Sequence, residues 1–531
     1  MSRTLLIGLD GGTFTVFDQL MDAGIMPSLK GLCAKGARAD LLSTPNPLTP
    51  PAWTSLVTGR GPGQHGVFDF VRVEQHGEHP NFRLATSSDI QCPTLWSRLG
   101  EAGRRVIALN FPVMYPPRPV NGFLIPGFVP RRHLKGAMFP ADLYSRLKGV
   151  PGIEVAELAV DFEDERRSVQ VLAPERHEEW IRFHIRRERQ WYGVMRHLME
   201  TETWDLAAVL FDGVDKLQHA CWRFIEERAF AARPATAWER TVRELCLDYF
   251  RQLDDLIAGL IEAAGSDTRV FFASDHGFTG SDEIFYVNSW LAQQGDLAWR
   301  ADAPFAEEGY INTEGMKAAA YLFDWNGTRA FSLTPGSNGI YLRLNGGPAS
   351  ADPAARAALA RRIADGLLQV VNPATGAPVV QRVLPREEAF PGPASHLAAD
   401  LTLVLRDFGF VSVVRSHDIV RPRKELAGTH HPHGIFLAAG PGVRRGAAVE
   451  RLTLLDMAPA LLHSLGLPVP AELEGRVPEA IYEPDHLAGQ PVRVADVAGA
   501  PAAPEGGDPS GMDAEGEAAI MERLRSLGYV E

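Results

Sequence analysis

The sequence predicts an α/β protein with a doubly wound, largely parallel central sheet and inserted cap regions. Three observations carry this. First, the β-rich runs at 4–10 (TLLIGLD), 205–215 (DLAAVLFDGVD) and 268–277 (TRVFFASDHG) each end in a polar, glycine-containing cluster, as buried parallel strands do. Second, helical segments alternate with strand-like ones, which favours parallel pairing. Third, two long stretches break that rhythm and read as insertions.

Taken in order, the first strand ends at Asp10 and turns at Gly11 and Gly12. AWTSLVTG, after Pro50 and Pro51, reads as a helix. From about 113 to 200 the chain is first rich in Pro and Gly, then becomes a charged, aromatic helix, ERHEEWIRFHIRRERQWYGVMRHLME. The segment 237–265 has an apolar stripe and a glycine stop, the clearest helix of all. The stretch from about 280 to 395 holds short strands such as GIYLRLNG and a helix at 353–369. Both insertions read as a cap over the carboxyl edge of the sheet. LTLVLRD at 401–407 and GIFLAAGPG at 434–442 are late strands, and a helix follows, capped at or near Asp456 and stopped by Gly466 and Pro468. The Ala/Pro/Gly-rich stretch 487–515 reads as a flexible linker, with a short helix after it. The expected division is core 1–112, cap 113–200, core 201–280, cap 281–395, core 396–486, and linker with terminal helix 487–531.

Composition narrows the function. The chain has 531 residues, 45% hydrophobic and 22% charged, ample for a large core. Its 53 basic and 66 acidic side chains give a net charge of -13 without a basic cluster, which argues against a nucleic-acid surface. Cys33, Cys92, Cys221 and Cys246 are widely spaced, with no CxxC pair, and read as buried free thiols of a reducing compartment. The first apolar run is too short for a signal-peptide core, and no run reaches the roughly 20 apolar residues of a membrane span. A cytoplasmic protein without a membrane segment is expected.

Ligands of open α/β sheets bind beyond the carboxyl ends of the strands, so carboxylates at three strand ends can converge on one site. Asp and His suit zinc or manganese. Asp215 and His219 stand four apart and share one side of a helix starting there. Asp275 and His276 are adjacent and converge only on a turn. AGTHHPHG adds His430, with His431 and His433 as rivals. Thr49 is the candidate nucleophile, with Thr44 and Thr54 as rivals. A helix N-terminus there would offer its dipole and free N–H groups to an anion. Threonine needs a base or a metal to become an alkoxide. Singly, each of these residues reads as well as a cap or an ordinary loop residue. Their joint occurrence points to a two-metal phosphate site. Arg182, Arg186, Arg187 and Arg189 could reach a phosphate from the cap, although a solvated helix face is the commoner arrangement. Lys216 either touches substrate or lies on the surface. No GxxxxGK[ST] loop and no GxGxxG after a strand is present.

Several segments together resemble the alkaline phosphatase superfamily: TPPAWTSLVTG (49–59), RGPGQHG (60–66), Asp215 with His219, SDHG (274–277), GTH (428–430), and Asp456 to Pro468. Within it the chain is similar to the branch of type I phosphodiesterases and nucleotide pyrophosphatases, and to the bacterial predicted phosphohydrolase/phosphomutase proteins. The resemblance spans the sheet core and both ends but not the cap stretches. It implies two divalent metal ions, zinc or alternatively manganese. Asp215, His219 and His430 would hold one; Asp10, Asp275 and His276, with Thr49, would hold the other. It further implies hydrolysis of a small phosphate ester, monoester or diester, through a phosphothreonine at Thr49. Two departures limit it. Ala52 stands where the pyrophosphatases carry an asparagine that binds a phosphoryl oxygen, and Trp53 stands where a sulfatase would need arginine. A phosphomutase and a catalytically inactive binding module are the alternatives. The caps are expected to set the substrate.

Overall fold

The computed structural model describes residues 3–74, 81–159, 176–305, 322–343 and 352–496. The expected terminal helix and the linker beyond 496 lie outside these residues.

A nine-stranded sheet organises the molecule. Its strands run in the order Ala447–Ala448, Ala37–Leu42, His433–Ala439, Thr268–Ala273, Arg3–Leu9, Leu206–Phe211, Val106–Leu109 and Gly122–Ile125, with Leu452–Thr453 also on Ala37–Leu42. From Thr268–Ala273 to Gly122–Ile125 all pairing is parallel. His433–Ala439 is antiparallel to both its neighbours. Side chains alternate between two cores, as a period of two requires. Leu5, Ile7, Ala207, Val209 and Phe211 enter one core, and Leu6, Leu206, Ala208 and Leu210 enter the other. Both faces are covered, which explains the unbroken apolar runs in the sequence.

Helices Phe14–Asp22, Gly213–Ile225 and Ala237–Ala264 cover one face, and Thr49–Thr58, Leu95–Glu101 and Met457–Ser464 the other. Ala237–Ala264 starts at a capping box between Thr236 and Glu239 and stops at Gly265.

The described residues of 113–200, expected to form a cap, build the core instead. Gly122–Ile125 is a sheet strand. The charged helix His177–Thr201 lies on the sheet, with Trp180, Ile181, Ile185, Trp191, Val194, Met195 and Leu198 in the core. Its many charges hid a complete apolar stripe. The second insertion is a separate lobe. Ala330–Phe331, Gly339–Leu342, Leu401–Leu405 and Val380–Pro385 form an antiparallel sheet with its own core, packed by Val287–Gln293 and Pro353–Leu367. The strand Leu401–Leu405 belongs to this lobe, past the expected boundary at 396. An antiparallel ribbon, Gly277–Phe285 with Val420–His431, joins lobe to core. Residues 484–495, expected to lie in or beside the linker, are ordered: Pro484–Gly489 is a helix and Val494–Ala495 pairs with Val469–Pro470.

All four cysteines are free thiols; Cys221 and Cys246 are buried, Cys33 and Cys92 half-buried. No helix among the described residues is long and apolar enough to cross a membrane.

Candidate active site

Three adjacent parallel strands end in carboxylates: Arg3–Leu9 delivers Asp10, Leu206–Phe211 delivers Asp212 and then Asp215, and Thr268–Ala273 delivers Asp275. Gly11 makes the first turn at φ 64° and donates its N–H to Asp275 Oδ1 at 3.1 Å. A Cβ there would sit 2.8 Å from the Phe278 ring, so only glycine fits. Asp215 lies in the first turn of Gly213–Ile225, and His219 stands one turn on. The ribbon brings His430 opposite. Gly428 permits this, because a Cβ at that position would lie 2.2 Å from the Gln218 carbonyl oxygen.

The side chains form two groups. Around Asp215 Oδ1, His219 Nε2 is 3.4 Å away and His430 Nε2 3.2 Å away, and the two imidazole nitrogens are 3.0 Å apart. Around His276 Nε2, Asp275 Oδ2 is at 3.2 Å, Thr49 Oγ1 at 3.4 Å and Asp10 Oδ1 at 3.7 Å. A tetrahedral ion with bonds of about 2.0–2.1 Å needs donors about 3.3 Å apart. The three distances within the first group are close to that spacing, as are those from His276 to its partners in the second. The groups touch where the His276 and His430 rings stack at 3.6 Å.

All three histidines are set in one tautomer. Nδ1–H donates to a backbone carbonyl in each: His219 to Gly428 at 3.2 Å, His276 to Gly277 at 3.1 Å and His430 to Pro47 at 2.6 Å. A carbonyl can only accept, so each Nε2 keeps its lone pair for the site. Burial, reinforced by the neighbouring imidazoles, holds His276 well below the usual histidine range, and burial also lowers His430. Both oxygens of Asp10, and Asp275 Oδ2, are buried without a hydrogen-bond partner. Burial and the neighbouring carboxylates push Asp10 well up, and burial above all pushes Asp275 up to about 8. Burial also opposes ionisation of Asp215, but its interactions with His219, Lys216 and His430 outweigh it and hold the carboxyl well below the usual range. Orphaned buried carboxyls beside lone-pair imidazoles are the donor set of a cation site.

Of the rival residues, His431 Nδ1 accepts from the His433 N–H and His433 lies 3.8 Å from Asp40, so only His430 joins the cluster. Thr44 donates to the Asn46 carbonyl and the Thr54 hydroxyl has no hydrogen-bond partner, whereas Thr49 touches His276. Thr49 is the first residue of its helix, as expected. The expected row of free N–H groups is reduced to that of Thr49, however. Pro50 and Pro51 carry none, and the Ala52 N–H is taken by Leu48 O at 3.1 Å.

Arg187 is no surface or cap residue. It is 1% exposed and pairs with Asp212 at 2.5 Å, and Asn110 also donates to Asp212 at 3.2 Å. Glu188 accepts the Gly213 N–H at 2.6 Å, so this network holds the start of the helix that bears Asp215 and His219. Arg182 pairs with Glu178 at the surface, and Arg189 with Gln252. Lys216, too, is buried rather than on the surface, at 1% exposure. Sequence reasoning missed Phe410 of the lobe, whose ring lies 4.9 Å from His430. It also missed Gln218, which donates to Gly11 O at 2.8 Å. No motif flags either. A cavity of about 620 Å³ opens between the loop before Thr49 and the lobe, and it shares Pro47 and Phe410 with the site.

Carboxyl and imidazole groups clustered at the carboxyl edge of such a sheet suit an enzyme that acts on phosphate esters, and the family comparison agrees. The type I phosphodiesterase / nucleotide pyrophosphatase model matches residues 4–433. The chain belongs to that family and is a phosphoric ester hydrolase. Among solved structures, phosphonoacetate hydrolase from Sinorhizobium meliloti 1021, in complex with phosphonoacetate, is 16% identical with a TM-score of 0.50, over 87% of this chain and 95% of that one. Murine ectonucleotide pyrophosphatase / phosphodiesterase 5, in complex with AMP, is 14% identical with a TM-score of 0.47, over 88% and 96%. The human protein of that name is 14% identical with a TM-score of 0.49, over 88% and 96%. No protein of curated function matches the chain.

Proposed function

We propose that the protein hydrolyses phosphate esters at a two-metal site through a phosphothreonine at Thr49. The observation that carries this reading is the double cluster, Asp215 with His430 and Asp10 with Asp275, with His276 between them, beside which His219 stands 3.4 Å from Asp215 and Thr49 Oγ1 3.4 Å from His276. Asp215, His219 and His430 would hold one ion, and Asp10, Asp275, His276 and Thr49 the other. The mixed Asp/His set suits zinc, with manganese second. Bound there, two divalent ions supply Lewis acidity and make a ligated hydroxyl a competent nucleophile near neutral pH.

The chain's own residues do the rest. Pro50 and Pro51 fix the backbone that presents Oγ1. As the Thr49 Oγ1–P bond forms, the ester P–O bond breaks and the alcohol leaves. Water then attacks phosphorus, the Oγ1–P bond breaks, and phosphate departs as the hydroxyl is restored. The lobe, through Phe410, would select the alcohol group.

The test uses protein loaded with zinc or manganese and a labelled phosphate ester. Thr49→Ala should lose about a thousandfold or more in turnover while keeping metal, and Thr49→Ser should keep part of the rate. Quenching wild type during turnover should trap label on the peptide containing Thr49. Label at Thr44 or Thr54, or full activity in Thr49→Ala, would overturn the reading.

A further inference from the structure

We infer that Lys216 binds a non-bridging phosphoryl oxygen and fits the site to dianionic phosphate monoesters rather than diesters. This rests on the hydrolytic reading above and names its substrate class.

The argument starts from what the nucleophile's helix lacks. A phosphoryl group bound at Thr49 carries non-bridging oxygens that need donors. Helix N-termini supply them as backbone N–H groups. Here Pro50 and Pro51 have none, and the Ala52 N–H is already bonded to Leu48 O. Ala52 is also apolar and 0% exposed, so the position one turn into the helix offers no side-chain donor. Only the Thr49 N–H is left as a donor at that end, so the remaining non-bridging oxygens need donors from elsewhere in the cluster.

Lys216 is placed to be one. It is 1% exposed and follows a member of the cluster on the first turn of Gly213–Ile225. An ammonium carries three donors. Among the described residues its Nζ makes one hydrogen bond, to Asp215 Oδ2 at 3.3 Å. Its other neighbour is the Phe128 ring, 5.2 Å from Nζ. Asp215 thus divides its oxygens: Oδ1 meets the two imidazoles and Oδ2 meets the lysine. A buried ammonium with spare donors is costly unless an anion completes it. Phe128 holds its ring there from a backbone at φ 60°, a region a bulky residue rarely adopts. Such strain collects at ligand-binding sites.

Charge decides the class of anion. Asp212 is neutralised by Arg187. Burial above all pushes Glu188 up to about 8, so it counts as neutral. With Thr49 as the neutral hydroxyl, that leaves Asp10, Asp215 and Asp275, three carboxylates against two divalent ions, with one positive charge in excess. A diester monoanion would cancel it. Lys216 raises the excess to two, which a monoester dianion cancels.

The experiment compares wild type, Lys216→Met and Lys216→Arg, each loaded with zinc, on p-nitrophenyl phosphate and bis-p-nitrophenyl phosphate. Metal content and the affinity for inorganic phosphate by calorimetry are measured alongside. The monoester-to-diester ratio of kcat/KM should fall about a hundredfold in Lys216→Met. Inorganic phosphate should bind that variant more weakly, at unchanged metal content. Lys216→Arg, which keeps the charge, should recover most of the ratio and of the phosphate affinity. An unchanged ratio with unchanged phosphate affinity overturns the inference. So does a loss of metal in Lys216→Met that Lys216→Arg restores without restoring phosphate binding, since the lysine would then serve only Asp215. Wild type inactive on both esters would instead refute the hydrolytic reading, and phosphate calorimetry would still decide the role of Lys216.

Discussion

Stripping the metals should make stability fall as pH rises, by an amount that follows from the carboxylates. Asp275 is pushed up to about 8, from 3.8 when solvated, chiefly by burial. The folded, chelated protein therefore holds a proton there that the unfolded chain releases. A carboxyl raised in this way contributes stability that is complete below about pH 4 and lost as pH climbs through about 8. The difference amounts to a loss on the order of 5 kcal/mol from this one group. Asp10, raised for the same reasons, adds to it. Bound cations reverse the preference by favouring the ionised carboxylates, and they bind more tightly as their ligands lose protons. His276 and His430, held down by burial, work the other way up to about pH 6.5, where the unfolded chain gives up its histidine protons. The assay is therefore thermal unfolding from about pH 7 to about pH 9, on chelator-dialysed protein and on the same protein reloaded with zinc. The gap in Tm should widen steadily with pH, and Asp275→Asn should flatten the curve of the chelated protein. A gap that stays constant, or an Asp275→Asn protein that still loses as much stability, would refute the reasoning.

Other outcomes test neighbouring parts of the structure. Arg187→Met strands Asp212 in the core and should cost about 3–5 kcal/mol, read from urea midpoints at unchanged m; adding Asp212→Asn should recover part of the loss, and a cost below about 1 kcal/mol would show that the pair is dispensable. Phe410→Ala should change the ranking of ester leaving groups by about tenfold while metal content holds; an unchanged ranking would remove the lobe from substrate selection. Asp10→Asn should lower bound metal by elemental analysis, and unchanged stoichiometry would count against its assignment.

The candidate site was legible because each of its carboxylates sits at a punctuation mark of the chain. Asp10, Asp215 and Asp275 all follow apolar runs that end in a glycine turn or a helix start. His219 was tied to Asp215 by helical spacing alone. What stayed hidden depends on partners far along the chain. Arg187 and Glu188 lie in a run that reads as a solvated, charged face. Nothing local reveals that Asp212, the Gly213 N–H and Tyr249 wait for them in the core. The strand Leu401–Leu405 has the alternation of any strand, and only pairing with Val380–Pro385 and Gly339–Leu342 assigns it to the lobe. The proline pair after Thr49 was read as rigidity, and its second effect, the loss of N–H donors, required the helix boundary to be known.

The carboxylates at the sheet's edge contain their own control. Asp10, Asp212, Asp215 and Asp275 are all 0% exposed and lie at or just beyond three neighbouring strand ends. Burial alone penalises each of them as an anion. Two are given a basic side chain by the chain itself: Asp212 has Arg187 and Asp215 has Lys216. Asp10 and Asp275 receive neither an arginine nor a lysine within ion-pair distance among the described residues, and the imidazole beside them is driven towards its neutral form by burial. If these carboxyls served only to cap or brace, the pattern seen at Asp212 would suffice for them too. The two left without a basic side chain are those whose oxygens stand 3.2 and 3.7 Å from His276 Nε2, the atom that Thr49 also meets. A cation from solution fits where the chain has withheld its own.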